Sequence, residues 1–453
     1  MRALHPGLGP DFIKLWSATA IANLGDGVAL VAGPLLIASL TPDPAAVAGA
    51  AFAQQVPWLL FALISGAWAD RLDRRRLVVT VDLIRAAALG LLVVCVICSA
   101  VSIWLVYGVV FVLGTCETLA DTASSAFVPA LVPAERLPVA NAWLGATFTV
   151  INQFAAKPLG GWLFVVAAAA PFGLQAAAFV VAAGLIHLLP AASPSPSPAP
   201  PASSPAASPP PASCDSTSPS SASESPASLP PASSSSASGS VGLRDRQSLR
   251  SEIVEGVRWL WAHRLLRTLA VAMACGNLVY CAAFATFVLY ARDRLGLGSV
   301  GYGTLLTAFA VGGLLGSVLA PRLIRTVGAA VLLRAGLLVE VALHATLAAT
   351  TTPVVAAVMI VVFGVHTMVW GTVAWTLRQR AVPSSLYGRV TGAYSLLDLG
   401  GAALGSLAGG ALAQTFGLIP VFWGAAVAMG VVVVLTWRPL GRATVELREA
   451  DPS

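Results

Sequence analysis

The sequence predicts an all-α membrane protein with twelve transmembrane helices in two pseudo-symmetric six-helix bundles. Three observations predict it. Of the 453 residues 57% are hydrophobic and only 10% charged, against roughly 25% charged in a typical soluble domain, so most of the chain requires a non-aqueous solvent. Apolar stretches long enough to cross a bilayer, roughly 20 residues each, recur twelve times. Landmarks of the first half also return in the second at a nearly constant offset: 250 residues separate Gly66 from Gly316 and Pro133 from Pro383, and 249 separate Gly160 from Gly409, the signature of a repeated bundle.

The elements follow in order. The stretch 12–40 is too long for the apolar region of a cleaved signal and lacks a cleavage pattern, so it reads as a retained first span. Spans at 46–68, 77–99, 102–123, 138–166 and 168–189 complete an N-terminal bundle over 1–189. From Pro190 to Ser240 the chain is a run of Pro, Ser and Ala with Asp215 and Glu224 its only charges. Such a composition cannot bury a core, and 190–248 is expected to be a disordered cytoplasmic linker. In 249–264, Leu249, Ile253, Val257, Leu260 and Trp261 recur at helical spacing opposite Arg250, Glu252, Glu255 and Arg258, the pattern of an amphipathic helix on the membrane surface. Spans at 266–290, 301–323, 327–348, 353–377, 391–413 and 418–437 form a C-terminal bundle over 265–440, and 441–453 is a cytoplasmic tail. Stretches longer than a perpendicular helix needs imply tilt.

The net charge of +6 is a matter of topology. Twenty-one of the 26 basic residues lie before span 1 or after even-numbered spans, whereas the opposite loops hold only Arg292 and Arg294. By the positive-inside rule both termini and the linker are cytoplasmic and the protein is multi-pass in the inner (plasma) membrane. A nucleic-acid partner is excluded. The six cysteines lie mostly within apolar stretches, with no paired spacing beyond Cys95 and Cys98, so neither a disulfide nor a metal site is expected. There is no Gly-rich phosphate loop and no soluble catalytic constellation. The chain is therefore expected to be no enzyme, to use no cofactor, and to draw energy from an ion gradient or from the substrate gradient.

The loop after span 2 reads Gly66-Ala-Trp-Ala-Asp70-Arg71-Leu-Asp73-Arg74-Arg75-Arg76, with Asp82 and Arg85 opening span 3. It resembles the loop signature of the major facilitator superfamily. Physically, the Gly lets two helices approach, the carboxylate can face a helix N-terminus, and the arginines form charged pairs that hold one arrangement until transport breaks it. The stretches 114–143, 255–269 and 378–390 are similar to the drug and siderophore exporter branch of that superfamily, the enterobactin-exporter-like one. In span 5, Lys157-Pro158-Leu-Gly160-Gly161 resembles the Gly-Pro-x-x-Gly-Gly antiporter element. It departs from it by a Lys in place of Gly and a spacing shorter by one. The resemblance implies two bundles around a central cavity, export, and a cavity lined by spans 1, 4, 7 and 10.

The ionisable residues inside the spans are few: Asp26, Glu117, Asp121, Lys157, Glu340 and Asp398. A lone ammonium at mid-membrane costs at least about 2.5 kcal/mol, so Lys157 is expected either to pair with Asp26 or Glu117 or to snorkel to the interface. Glu117 and Asp121 are four apart and share a helix face. Asp121 is suited to the loop lock with Arg71 or Arg74, while Glu117 and Asp26 lie deeper, where desolvation suits them to exchange a proton near neutral pH. Proton coupling through Asp26 or Glu117 stands against a permanent ion pair with Lys157. Asn23, Asn277, Tyr280, His366 and Trp370 are the candidates for substrate contact, their aromatic groups able to stack on apolar or cationic molecules. The expected function is export of a small organic molecule by proton antiport with alternating access, by a monomer whose partners are the substrate, protons and the lipid bilayer. The alternatives are a proton-coupled metabolite importer and a non-transporting membrane sensor.

Overall fold

The computed structural model describes residues 8–69, 73–124, 127–189, 254–383 and 386–449. The expected linker at 190–248, with Asp70 and Arg71 of the loop motif, lies outside the described residues. Twelve helical rods follow one another: α1 (Pro10–Leu40), α2 (Pro44–Ala69), α3 (Arg74–Ile97), α4 (Ile103–Ser124), α5 (Leu137–Val166), α6 (Ala170–His187), α7 (Arg264–Asp293), α8 (Ser299–Val327), α9 (Ala329–Ala349), α10 (Pro353–Ala381), α11 (Tyr387–Phe416) and α12 (Leu418–Glu449). Among the described residues ten helices are long and apolar enough to cross a membrane, and α2 and α5 stand at the remaining two places in the order. Side chains such as Ile97, Trp104, Val165, Phe416, Val434 and Leu435 are well exposed. An apolar exterior of this kind suits a lipid solvent, in which a helix satisfies its own backbone groups.

Two rods are interrupted. In α5 the helix Leu137–Thr147 widens into a π-helix over Phe148–Ala156 before resuming at Lys157–Val166. Pro158 explains the place: it has no N–H to return to the carbonyl four residues back, and its ring crowds that carbonyl, so the turn before it opens. In α7 the helix Arg264–Phe284 stops at Ala285 and Thr286 and resumes as Phe287–Asp293, with no Pro or Gly at the break. At the other end of this rod, residues 254–262 form a short helix, part of the expected surface helix. Leu260 buries itself in the core of the C-terminal rods, Val254, Val257 and Trp261 stay exposed, and Glu255 pairs with Arg389 at the start of α11.

The packing repeats itself when six is added to each rod number. Within the first six rods α1 packs on α5 and α6, α2 on α4, and α3 on α4 and α6; within the second, α7 packs on α11 and α12, α8 on α10, and α9 on α10 and α12. Between the bundles α2 lies along α11 and α5 along α8, again one relation seen twice.

The cores show how the bundles stand. At the end carrying the short α1–α2 turn, one cluster draws on both bundles: Leu36, Ile37, Val47 and Leu92 with Phe287, Tyr290, Tyr302 and Phe422. Arg292 at the end of α7 donates to the Ala38 carbonyl in the last turn of α1 at 3.0 Å. At the end carrying the termini the buried clusters are separate, one of C-terminal residues such as Leu260, Leu333 and Leu440, and others of N-terminal residues such as Phe12, Leu15, Val78 and Leu189. The described residues are thus closed together at the short-turn end only.

Glycines set the closest contacts, and the repeated pair divides its labour identically in both halves. A Cβ on Gly160 would stand 2.5 Å from the Val28 carbonyl oxygen of α1, within the bundle, whereas one on Gly161 would meet the Ser299 backbone and stand 3.0 Å from the Val300 Cα of α8, across the interface. On α11 a Cβ on Gly409 would stand 2.5 Å from the Ala282 Cα of α7, and one on Gly410 2.5 Å from the Ala48 Cβ of α2. The first glycine of each pair serves its own bundle and the second serves the seam.

Candidate functional site

A cavity of about 360 Å³ opens in the N-terminal bundle where it faces the C-terminal one, within the size range of small-ligand sites, about 300–1,000 Å³. Its polar wall comes from the N-terminal bundle: Asp26 of α1, Gln54 of α2, Arg85 of α3, Glu117 of α4, Asn152 and Gln153 of α5, and Gln175 of α6. Phe284, Ala285, Val288 and Tyr302 of the C-terminal bundle cover it toward the closed end. The break in α7 therefore sits in the cavity wall, and so does the π segment of α5, whose wide turn carries Asn152 and Gln153.

Several of these polar groups have fixed partners. Gln175, almost fully buried, donates to Asp26 Oδ1 at 3.0 Å, and its backbone comes close because position 25 is Gly, where a Cβ would stand 3.1 Å from Gln175 Cα. Asn152 donates to the Asn23 carbonyl at 3.0 Å, tying α5 to α1. On α3 Arg85 pairs with Asp82 one turn back at 3.7 Å, both side chains 8% exposed, and its guanidinium lies over the Phe179 ring at 5.0 Å. Asp82 in turn lies within electrostatic range of Asp26. Asp26, Glu117 and Arg85 thus line one cavity, and Asp82 pairs with that guanidinium from behind the wall. Charges removed from water are tolerated when balanced, and Asp82 supplies that balance to Arg85 directly.

Arg85 and Asp82, read from the sequence as opening span 3, and Gln175 were not among the expected site residues. The usable signal for Asp82 and Arg85 was their position about five and eight residues into an apolar span with i, i+3 spacing, which puts them on one buried face. A measurable consequence follows. Arg85→Leu leaves Asp82 buried without its partner and is expected to destabilise the fold by about 3–5 kcal/mol, while Asp82→Leu with Arg85→Leu restores most of it. Thermal unfolding of the purified protein in detergent reads both; a single variant as stable as the double one would remove the pair from the fold's support.

The other expected residues lie elsewhere. Lys157 is buried and its ammonium donates to the Gln153 side-chain oxygen one turn back. Its partner among the described residues is an amide of its own rod rather than Asp26 or Glu117. Asn23 donates to the Thr19 carbonyl of its own helix at 2.8 Å. Asn277 donates to Asp398 Oδ1 at 3.0 Å, joining α7 to α11. Tyr280 stacks on Phe284 and Phe363. His366 and Trp370 face Gly336 of α9, where a side chain would strike both, and His366 Nε2 lies 3.3 Å from Glu340 Oε1. None of these five is among the residues lining the cavity, because helix number alone does not say which face a residue takes. Of the loop motif, Gly66 lies in α2 and Arg74 opens α3, but the side chains of Arg74 and Asp121 lie outside the described residues. Asp73 caps α3, accepting from the Arg75 and Arg76 backbone N–H groups at 3.0 and 3.3 Å, and Arg75 donates to the Leu189 carbonyl at 2.7 Å, fastening α3 to the end of α6.

Comparison with known proteins agrees with this architecture. Residues 15–400 match the sequence profile described as Major Facilitator Superfamily. Macrolide efflux protein A of Streptococcus pyogenes is 25% identical over 126 residues, 28% of this chain and 31% of that protein. An uncharacterized MFS-type transporter of Mycobacterium tuberculosis is 30% identical over 158 residues, 32% of this chain and 36% of that protein. The match spans about a third of the length of these relatives. Among solved structures, a point variant of the nucleoside transporter NupG superposes with a TM-score of 0.69 at 10% identity, covering 95% of this chain and 99% of that one. A bacterial homologue of the iron transporter ferroportin superposes with a TM-score of 0.65 in its inward-facing state, at 18% identity over 94% and 98% of the chains. In its outward-facing state the score is 0.52, at 19% identity over 95% and 100%.

Proposed function

Because the chain belongs to the major facilitator superfamily, whose members are membrane transporters of small molecules, we propose that it exports a small organic molecule, such as a drug, siderophore or natural product, in exchange for protons. The observation that carries this reading is the cavity: a space of the N-terminal bundle facing the C-terminal one, with Asp26, Glu117 and Arg85 on one wall and aromatic rings on the other. A carboxyl group that alternately holds a proton and faces a substrate couples the two, since each ligand can shift the conformational equilibrium only through its different affinity for the two states. The efflux relative favours export over import.

With the termini cytoplasmic, as the distribution of arginine indicates, the closed short-turn end faces outward and the described state opens inward. Substrate then enters from the cytoplasmic side or inner leaflet, and closing that end releases it outside as the seams along α2–α11 and α5–α8 roll open. In this reading the protein works as a monomer in the inner membrane.

Everted membrane vesicles test it. Under an imposed inside-acid gradient they should accumulate a compound from a panel of amphipathic drugs, siderophores and natural products, and lose it when a protonophore is added. Depletion of the compound from such vesicles would instead mean proton symport into the cell, and no gradient-dependent flux of any compound would leave a sensor.

A further inference from the structure

The C-terminal bundle holds ionisable groups that the cavity does not use. Glu340 of α9 and His366 of α10 lie 3.3 Å apart with side chains 17% and 7% exposed. One turn further along α9, His344 is fully buried and its Nδ1 donates to the Glu340 backbone carbonyl at 2.8 Å. The chain makes room for the pair twice with glycine: a Cβ on Gly336 would strike the His366 ring, and one on Gly276 of α7 would stand 3.0 Å from Glu340 Oε2. That second carboxyl oxygen is buried with no hydrogen-bond partner in the protein.

The surroundings leave the charge balance to the pair itself. From α7 the neighbour is Gly276. Asp398 of α11 is turned to Asn277 on the other side of α7. Trp437 of α12 accepts from Arg334 of α9 through its carbonyl, which sets the antiparallel register and brings the apolar Met429, Val432 and Val433 to the level of Glu340. α8 carries no charge before Arg322. An ionised Glu340 beside a neutral His366 is one uncompensated charge in a low-dielectric interior, and one added proton removes it whichever atom it joins.

A continuous ring stack connects this pair to the cavity. Phe284 in the cavity wall stacks on Tyr280 at 4.3 Å between centroids, Tyr280 on Phe363 at 5.4 Å, and Phe363 lies against the His366 ring at 5.8 Å. Of these rings, Tyr280 and Phe284 sit just before the break in α7, and Phe363 and His366 lie on α10. We infer that Glu340 and His366 form a proton-binding site of the C-terminal bundle, distinct from the cavity carboxyls, whose occupancy is coupled to the cavity wall through Phe284, Tyr280 and Phe363.

Infrared difference spectroscopy of the whole purified protein in lipid, stepped from pH 5 to pH 9, tests both parts without a transported compound. A carboxyl band that titrates in the unmodified protein should persist in Asp26→Asn and in Glu117→Gln, and should be absent in Glu340→Gln. In His366→Gln its midpoint should move by a pH unit or more; this variant decides the matter if Glu340→Gln does not fold. Phe284→Ala and Tyr280→Leu, which touch neither titrating group, should each move the midpoint by half a unit or more. A Glu340→Gln spectrum superimposable on the unmodified one, or a band unmoved in His366→Gln, overturns the site. A midpoint unmoved by either ring variant overturns the coupling.

Discussion

Gly161→Leu is expected to cut transport more than tenfold while the protein still folds. The reason lies in what a side chain at this position would meet: the Ser299 and Val300 backbone of α8, which cannot move aside without parting the two bundles. Overpacking of this kind costs about 1–3 kcal/mol. If the bundles rock as proposed, the cost falls on one conformational state, the one whose short-turn end is closed and whose α5 and α8 touch at this level. A bias of about 2 kcal/mol in a two-state equilibrium is roughly a 30-fold change in populations. The protein should therefore shift toward the state open at that end and cycle slowly. Gly410→Leu, facing α2, should do the same from the other seam. Gly160→Leu and Gly409→Leu provide the contrast, because their neighbours Val28 and Ala282 belong to the same bundle in every state. Those two should lower the melting temperature without redistributing states. Distances between spin labels at the rod ends, read alongside melting curves, separate the two outcomes; equal redistribution by Gly160→Leu and Gly161→Leu would dissolve the distinction.

Asp26→Asn should abolish protonophore-sensitive efflux and leave the fold intact. Asn keeps an oxygen to accept from Gln175, whose amide now meets Asp26 Oδ1 at 3.0 Å, so the packing of α1 on α6 survives. What is lost is the group that can carry a proton. Downhill exchange of substrate across the membrane should persist, since binding and rocking do not require the proton once no gradient drives them. Glu117→Gln, on the same cavity wall, tells whether the coupling is shared: a partial loss in each single variant and a complete one in the double places both carboxyls in the path. Wild-type gradient-driven transport in Asp26→Asn would eliminate it as a coupling residue.

The fold was legible in the sequence to an unusual degree because the bilayer imposes a length and a composition on each element. Eleven of the expected spans overlap one rod each over most of their length, and span 5 overlaps a rod that the π segment divides. The segmentation of α5 had a partial signal in Pro158, but nothing in the neighbourhood of Ala285 and Thr286 announces the break in α7. The repeated glycine pair was visible as a pattern, although its division between bundle and seam was not.

The site was legible by residue type and illegible by direction. Asp26 and Glu117 stood out because carboxyls are rare in apolar spans, and both line the cavity. His366, Trp370 and Tyr280 stood out equally, yet they turn into the C-terminal bundle. A helix rotated by a few tens of degrees exchanges a cavity residue for a packing residue, and no periodicity distinguishes them when every face is apolar.

What the sequence determines by itself is the solvent and the count: 10% charge forces the chain into lipid, and apolar lengths and glycine offsets divide it into two sets of six. The tertiary structure alone decides which ionisable groups meet. Asp82 with Arg85, Gln175 with Asp26 and Glu340 with His366 are 3, 149 and 26 residues apart, and only the first separation is a helical one. The other two depend on how rods pack where glycines let their backbones approach, and that packing sets where protons can be held.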